Sequence, residues 1–148
     1  MEQALLENRK ARFNYEIVET YEAGIELRGC EVKALKSGRG DITAGHIIMR
    51  GNEAWLVNTV IPPYQPGNTP ADYKPDRTRR LLLTRGEIKN LTGKIYATGL
   101  TLVPLKMYNK GRLVKLLVGL ARGKKKADKR EAVKKREWLR LRRNIETK

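Results

Sequence analysis

The feature that most limits what this chain can become is a period-two alternation of apolar and polar residues. It runs in short pieces from Phe13 to about Arg122. Period two places successive side chains on opposite faces of a strand, so each piece has one face to bury. Phe13, Tyr15 and Ile17 alternate with Asn14 and Glu16, and Val18 and Tyr21 carry the strand into Glu22-Ala23-Gly24. Residues 42–49 and 54–61 are two further β-rich runs around a tight-turn signal, Arg50-Gly51-Asn52-Glu53. Residues 100–108 and 113–120 repeat the arrangement across Asn109-Lys110-Gly111. Short strands joined by hairpin turns, in 148 residues that suffice for one core, predict a mostly β fold: a small, closed or nearly closed antiparallel barrel.

Two short helices interrupt the pattern. Residues 31–36 form one, stopped by Ser37-Gly38, and Thr84-Arg85-Gly86-Glu87 is a capping box ahead of Ile88, Leu91 and Ile95 on one face, with Gly93 weakening the end. Residues 61–77 hold five of the six prolines and read as an irregular surface excursion.

Past residue 122 the chain changes character. Residues 122–148 carry 13 Lys and Arg against four acidic side chains, a large part of the formal net charge of +16. Asp128 and Glu131 give a second capping-box-like start, and residues 131–145 are good helix formers without Gly or Pro. The apolar stripe is thin: Trp138, Leu141 and Ile145, plus Val133. A helix that cannot bury a broad face is marginal alone, so residues 123–148 are expected to be disordered when free and helical when bound, beside a barrel over residues 1–122.

A charge excess of this size favours a polyanionic partner, with nucleic acid ahead of an anionic membrane surface. A purely solubilising tail would need no Trp138 or Ile145. No apolar run reaches the length of a membrane span, and the first residues carry no signal-like segment. Lone Cys30 and lone His46 provide no disulfide, no zinc cluster and no base–nucleophile pair, so neither metal nor cofactor nor catalysis is expected, and the chain reads as cytoplasmic. Arg77, Arg79 and Arg80 read two ways: as an edge strand guarded by charge, or as part of a positive face beside Lys74. Tyr15, Tyr73 and Tyr108 lie near basic residues and could stack on unpaired bases, although Tyr is also a common strand residue.

Four blocks together resemble the SmpB family, the SsrA-binding small protein B of bacterial trans-translation. They are Asn8-Arg9-Lys10-Ala11-Arg12, the run from Tyr21 through Glu22 and Gly24 to Lys33, Asp76-Arg77-Thr78-Arg79-Arg80-Leu81-Leu82-Leu83, and Leu117 to Lys125 with Asp128-Lys129-Arg130. The resemblance covers about residues 8–146. It implies an oligonucleotide-binding-type barrel that binds the tRNA-like domain of transfer-messenger RNA (tmRNA). It further implies delivery of that RNA, alanylated and with elongation factor Tu, to the A site of a stalled ribosome. The protein itself makes and breaks no bond, and a monomer is expected.

By position, the resemblance assigns Asn8, Glu22 and Leu82 to the RNA elbow, with Lys115 and Gly123 in the matching strand and its exit. Arg12 and Lys115 would neutralise phosphate, while Glu22 would accept from a base edge, a 2′-hydroxyl or an orienting Arg. Phe13, Tyr15, Lys33, Arg77, Arg79 and Arg80 complete the expected tmRNA face. Lys124, Lys125, Asp128, Lys129 and Arg130 are expected at the decoding centre in small-subunit rRNA, and Arg136, Trp138 and Ile145 in the empty mRNA channel. Two positions depart from the pattern: Phe13 stands where many members have His, and Ala127 offers no ring. The rival reading is a structural ribosomal protein or a general single-strand binder.

Overall fold

The computed structural model describes residues 2–123 except Pro66 and Asn68. Among these residues lie seven strands and three helices. The strands are β1 (Glu2–Glu7), β2 (Tyr15–Ile25), β3 (His46–Arg50), β4 (Glu53–Val57), β5 (Arg79–Leu82), β6 (Thr101–Lys110) and β7 (Leu113–Gly123). The helices are α1 (Ala11–Asn14), α2 (Gly29–Lys36) and α3 (Arg85–Thr98).

All pairings are antiparallel, in the order β6-β3-β4-β5-β2-β7, and β7 pairs again with β6 to close the ring. Strand β1 pairs along the second half of β6, beyond the single β3–β6 pair at Ile47 and Leu102. The expected closed OB-like barrel is therefore the observed architecture. Both predicted hairpins form, with Gly51 and Gly111 at positive φ (62° and 63°) in two-residue turns, where a β-carbon would be strained.

The core follows from the alternation. Ala23, Ile25, Ile47, Leu56, Leu81, Leu102, Met107, Leu116, Val118 and Leu120 point inward, with Leu35 of α2 and Leu91 of α3 packed against them. A second, smaller cluster outside the barrel joins Ala11, Val103, Leu105 and Ala121 to Tyr15, Ile17 and Leu117.

Several expectations need correction. Phe13 belongs to α1 and not to the first long strand, which starts at Tyr15. Strand β1, which sequence reading left unassigned, adds to the sheet through β6. Strand β5 is no edge: it lies between β4 and β2. Helix α3 bears out its reading: the Thr84–Glu87 capping box forms, and the helix runs past Gly93 through Ile95 to Thr98 and is closed by Gly99. The proline-rich segment is partly interior. Ile61 is fully buried, and Tyr73 Oη and the Pro75 carbonyl turn inward to Ile61 and Arg79.

Candidate nucleic-acid interface

Antiparallel register decides which side chains share a face. Leu82 pairs with Gly24, Gly24 with Lys115, and Lys115 with Tyr108, so one row crosses β5, β2, β7 and β6. The neighbouring row runs from Glu22 through Leu117 to Lys106. Both rows lie on the outer face, since Ala23, Ile25, Leu116 and Val118 between them point into the core. A β-carbon on Gly24 would come within 3.1 Å of Leu82 Cβ, so glycine permits this close approach of β2 and β5. Leu82 keeps 48% of its surface exposed there, beside Gly24.

Glu22 is held firmly. Tyr108 Oη donates to Glu22 Oε2, and Lys110 Nζ approaches both carboxylate oxygens at 3.1 and 3.3 Å. The Tyr108 hydrogen bond first, then that of Lys110 and the charges of Lys110 and Lys115, hold the Glu22 carboxyl below its ordinary value, so it is an anionic acceptor at neutral pH. Lys106 Nζ lies 5.2 Å from the centre of the Tyr108 ring.

Lys106 also lines a cleft of about 390 Å³ with Glu7, Asn8, Arg9, Arg12 and Leu105. Asn8 is built into its floor and only 7% exposed. Its Nδ2 donates to the Pro104 carbonyl at 2.8 Å, while its Oδ1 is buried without a protein partner. The fold thus uses the donor of this amide and leaves the acceptor, which is a narrower role than the sequence reading gave it.

Asn8, Arg12, Glu22, Leu82 and Lys115, spread over more than a hundred residues of chain, therefore lie along one continuous outer surface. The others do not join them in the same way. Arg79 is 0% exposed, and its guanidinium binds Glu31 at 2.6–2.7 Å, the Thr59 carbonyl at 2.8 Å and the Pro75 carbonyl at 2.9 Å. It cannot reach an external phosphate, and both surface readings of it are corrected. Arg77 reaches the same Glu31 carboxylate from the partly open side. Arg80 is on the outer face opposite Trp55, tied to Glu53 at 3.2 Å and Glu26 at 3.6 Å. Lys33 is exposed on α2, in a separate cleft with Cys30, Tyr64 and Thr69.

The three tyrosines that read either as stacking rings or as strand residues have structural roles. Tyr73 Oη bonds the Ile61 carbonyl and the Glu31–Arg79 pair, Tyr108 is 3% exposed, and Tyr15 packs half-buried on the second cluster. Phe13 is half-buried on α1. Gly123 pairs with Tyr15 at the end of β7, next to α1. Lys124, Lys125, Ala127, Asp128, Lys129, Arg130, Arg136, Trp138 and Ile145 lie outside the described residues. Sequence reading missed Arg9, Lys106 and Lys110. Arg9 stood inside a matched block without an assigned role, and Lys106 and Lys110 carried no signal beyond their basic character in a strand.

No group of three or more His, Cys, Asp or Glu among the described residues could hold a metal, and no described helix is long and apolar enough to cross a membrane. A closed antiparallel barrel with a cationic outer face around one fixed carboxylate defines an OB-like protein with a surface suited to RNA. The SmpB protein family model matches residues 5–147. An SsrA-binding protein of Gloeothece citriformis is 53% identical over 133 residues, covering 90% of this chain and 86% of that protein. An SsrA-binding protein of Burkholderia thailandensis is 50% identical over 137 residues, covering 93% of each. A solved structure described as "tmRNA-SmpB: a journey to the center of the bacterial ribosome" aligns with a TM-score of 0.67 at 48% identity, over 86% of this chain and 93% of that one. The chain belongs to the SmpB family.

Proposed function

We propose that this protein is an RNA-binding adapter of trans-translation: it binds the tRNA-like domain of tmRNA and accompanies it to the A site of a stalled ribosome. The observation that carries the reading is the convergence of Asn8, Arg12, Glu22, Leu82 and Lys115 on one outer surface. A folded RNA elbow is read there by shape, sugar and phosphate contacts, with Arg12 and Lys115 neutralising phosphate. The names of the relatives and of the solved complex support tmRNA and the ribosome as partners. Alanylated tmRNA arrives with elongation factor Tu. The protein acts as a cytoplasmic monomer, and the bond chemistry belongs to other factors.

Residues 124–148 act as a separate sensor. Their Lys and Arg compete with mRNA for an anionic channel, so an occupied channel excludes them. Ordering about 15 residues costs on the order of 15–30 kcal/mol of backbone entropy, which the density of cationic contacts must exceed. Lys129 and Arg130 meet rRNA backbone at the decoding centre, and Arg136, Trp138 and Ile145 follow the channel. The test is deletion of residues 124–148. Binding to the tRNA-like domain is expected to stay within about threefold, while peptide tagging on stalled ribosomes is lost. Loss of RNA binding by the deletion, or retained tagging, would contradict the two-part reading.

A further inference from the structure

Glu22 is an acidic residue on the outer face, beside Lys110 and Lys115. Left free, its carboxylate would rotate and repel a nearby phosphate backbone. It is not free. Tyr108 Oη donates to Oε2, and Lys110 Nζ bridges both oxygens. The Tyr108 ring is fixed in turn: it is 3% exposed, paired with Lys115 in β7 and Ala4 in β1, and covered by Lys106. Glu22 has a side chain 35% exposed, and its two oxygens offer about four acceptor sites in all. Acceptor capacity therefore faces outward in a fixed direction.

We propose that Tyr108 is a positioning residue that aims the Glu22 carboxylate at a hydrogen-bond donor of the bound RNA, a ribose 2′-hydroxyl or a base amino group. This rests on the tmRNA-binding reading above. An oriented carboxylate flanked by Lys110 and Lys115 accepts from a donor while the lysines cover the adjacent phosphates. The site then favours RNA that presents a donor at that one spot over RNA that presents phosphate alone. The depressed titration of Glu22, caused first by Tyr108, agrees with the carboxylate staying ionised as an acceptor.

The experiment is a double-mutant cycle of Tyr108→Phe and Glu22→Gln in the full chain, titrated with the tRNA-like RNA domain. The Phe variant keeps the ring and its packing. Its urea midpoint is expected to fall only slightly, by the lost hydrogen bond, and the Glu22 titration midpoint in the free protein, followed by NMR, is expected to move upward. Each single variant should lose about ten- to a hundredfold in affinity, the worth of one charge-assisted hydrogen bond. The double variant should be no weaker than Glu22→Gln within about twofold, because both changes remove the same contact. Footprinting the bound RNA and then removing 2′-hydroxyls from the nucleotides it shows to be protected assigns the donor: it abolishes the Tyr108→Phe effect if the donor is ribose and preserves it if the donor is a base amino group. Wild-type affinity in Tyr108→Phe, or losses that multiply in the double variant, would overturn the proposal. Failure of wild type itself to prefer this RNA would overturn the tmRNA reading, and the proposal with it.

Discussion

Arg79 and Glu31 show how far a single side chain can depart from its apparent role. Three arginines within four positions look like a solvated charge run, and nothing local marks the middle one as interior. Its partner stands 48 residues earlier, on α2. Only closure of the barrel brings the two together, with Tyr73 and the Pro75 carbonyl completing the cluster. Removing one partner of a buried ion pair strands the other charge, so Arg79→Met is expected to cost about 3–5 kcal/mol in urea unfolding. A loss under about 1 kcal/mol would show that the pair is dispensable. Burial pushes the Glu31 carboxyl up, but the hydrogen bonds from Arg77 and the Arg28 amide, with the Arg79 charge, outweigh it, and the net value lies below the ordinary 4.5. A depressed folded value means stability that is present above 4.5 and is lost as pH falls through the folded value. Wild type should therefore lose stability in that acid window, and Glu31→Gln should lose that part of the pH dependence. An unchanged acid limb in the variant would assign it to other carboxylates.

At the scale of elements, legibility followed locality. The two hairpins and α3 were readable because their signals are local: turn residues flanked by alternation, and a capping box ahead of a periodic face. Helix α3 outlasts Gly93 because Ile95 packs on the core and Lys94 is tied across to Glu19 of β2 at 2.7 Å, contacts that a propensity argument does not include. The capping box itself is exposed, so Thr84→Ala should cost about 1 kcal/mol in thermal or urea unfolding without altering RNA binding. A much larger loss would mean that the α3 start is coupled to the barrel. Strand β1 was invisible for the opposite reason. Glu2-Gln3-Ala4-Leu5-Leu6-Glu7 shows no clean alternation, and its strand character comes from pairing with β6, about a hundred residues away. The sequence left open whether β5 is an edge, because four residues carry no information about which neighbours flank them.

Across the whole molecule, the candidate site was legible only in part. The matched blocks supplied Asn8, Arg12, Glu22 and Leu82, and the matching strand Lys115, but register made them one surface and added Lys106, Tyr108 and Lys110 to it. The same register removed Arg79, whose alternation with Leu82 along β5 sends it inward. A charge census would have treated all of these cations alike. The proposed division of labour assigns the RNA elbow to the described barrel face and ribosome sensing to residues 124–148, which follow Gly123 in the chain.

The most direct measurement of the central claim is a titration of the full chain, and of Lys115→Glu, with the tmRNA tRNA-like domain at two salt concentrations, against an unrelated structured RNA of equal length. The account predicts strong preference for the tRNA-like domain, and for Lys115→Glu a weaker affinity whose salt slope falls by about 0.7–0.9 for the lost phosphate contact. Equal binding to both RNAs would instead make this a general basic RNA binder, and an unchanged slope would take Lys115 off the interface.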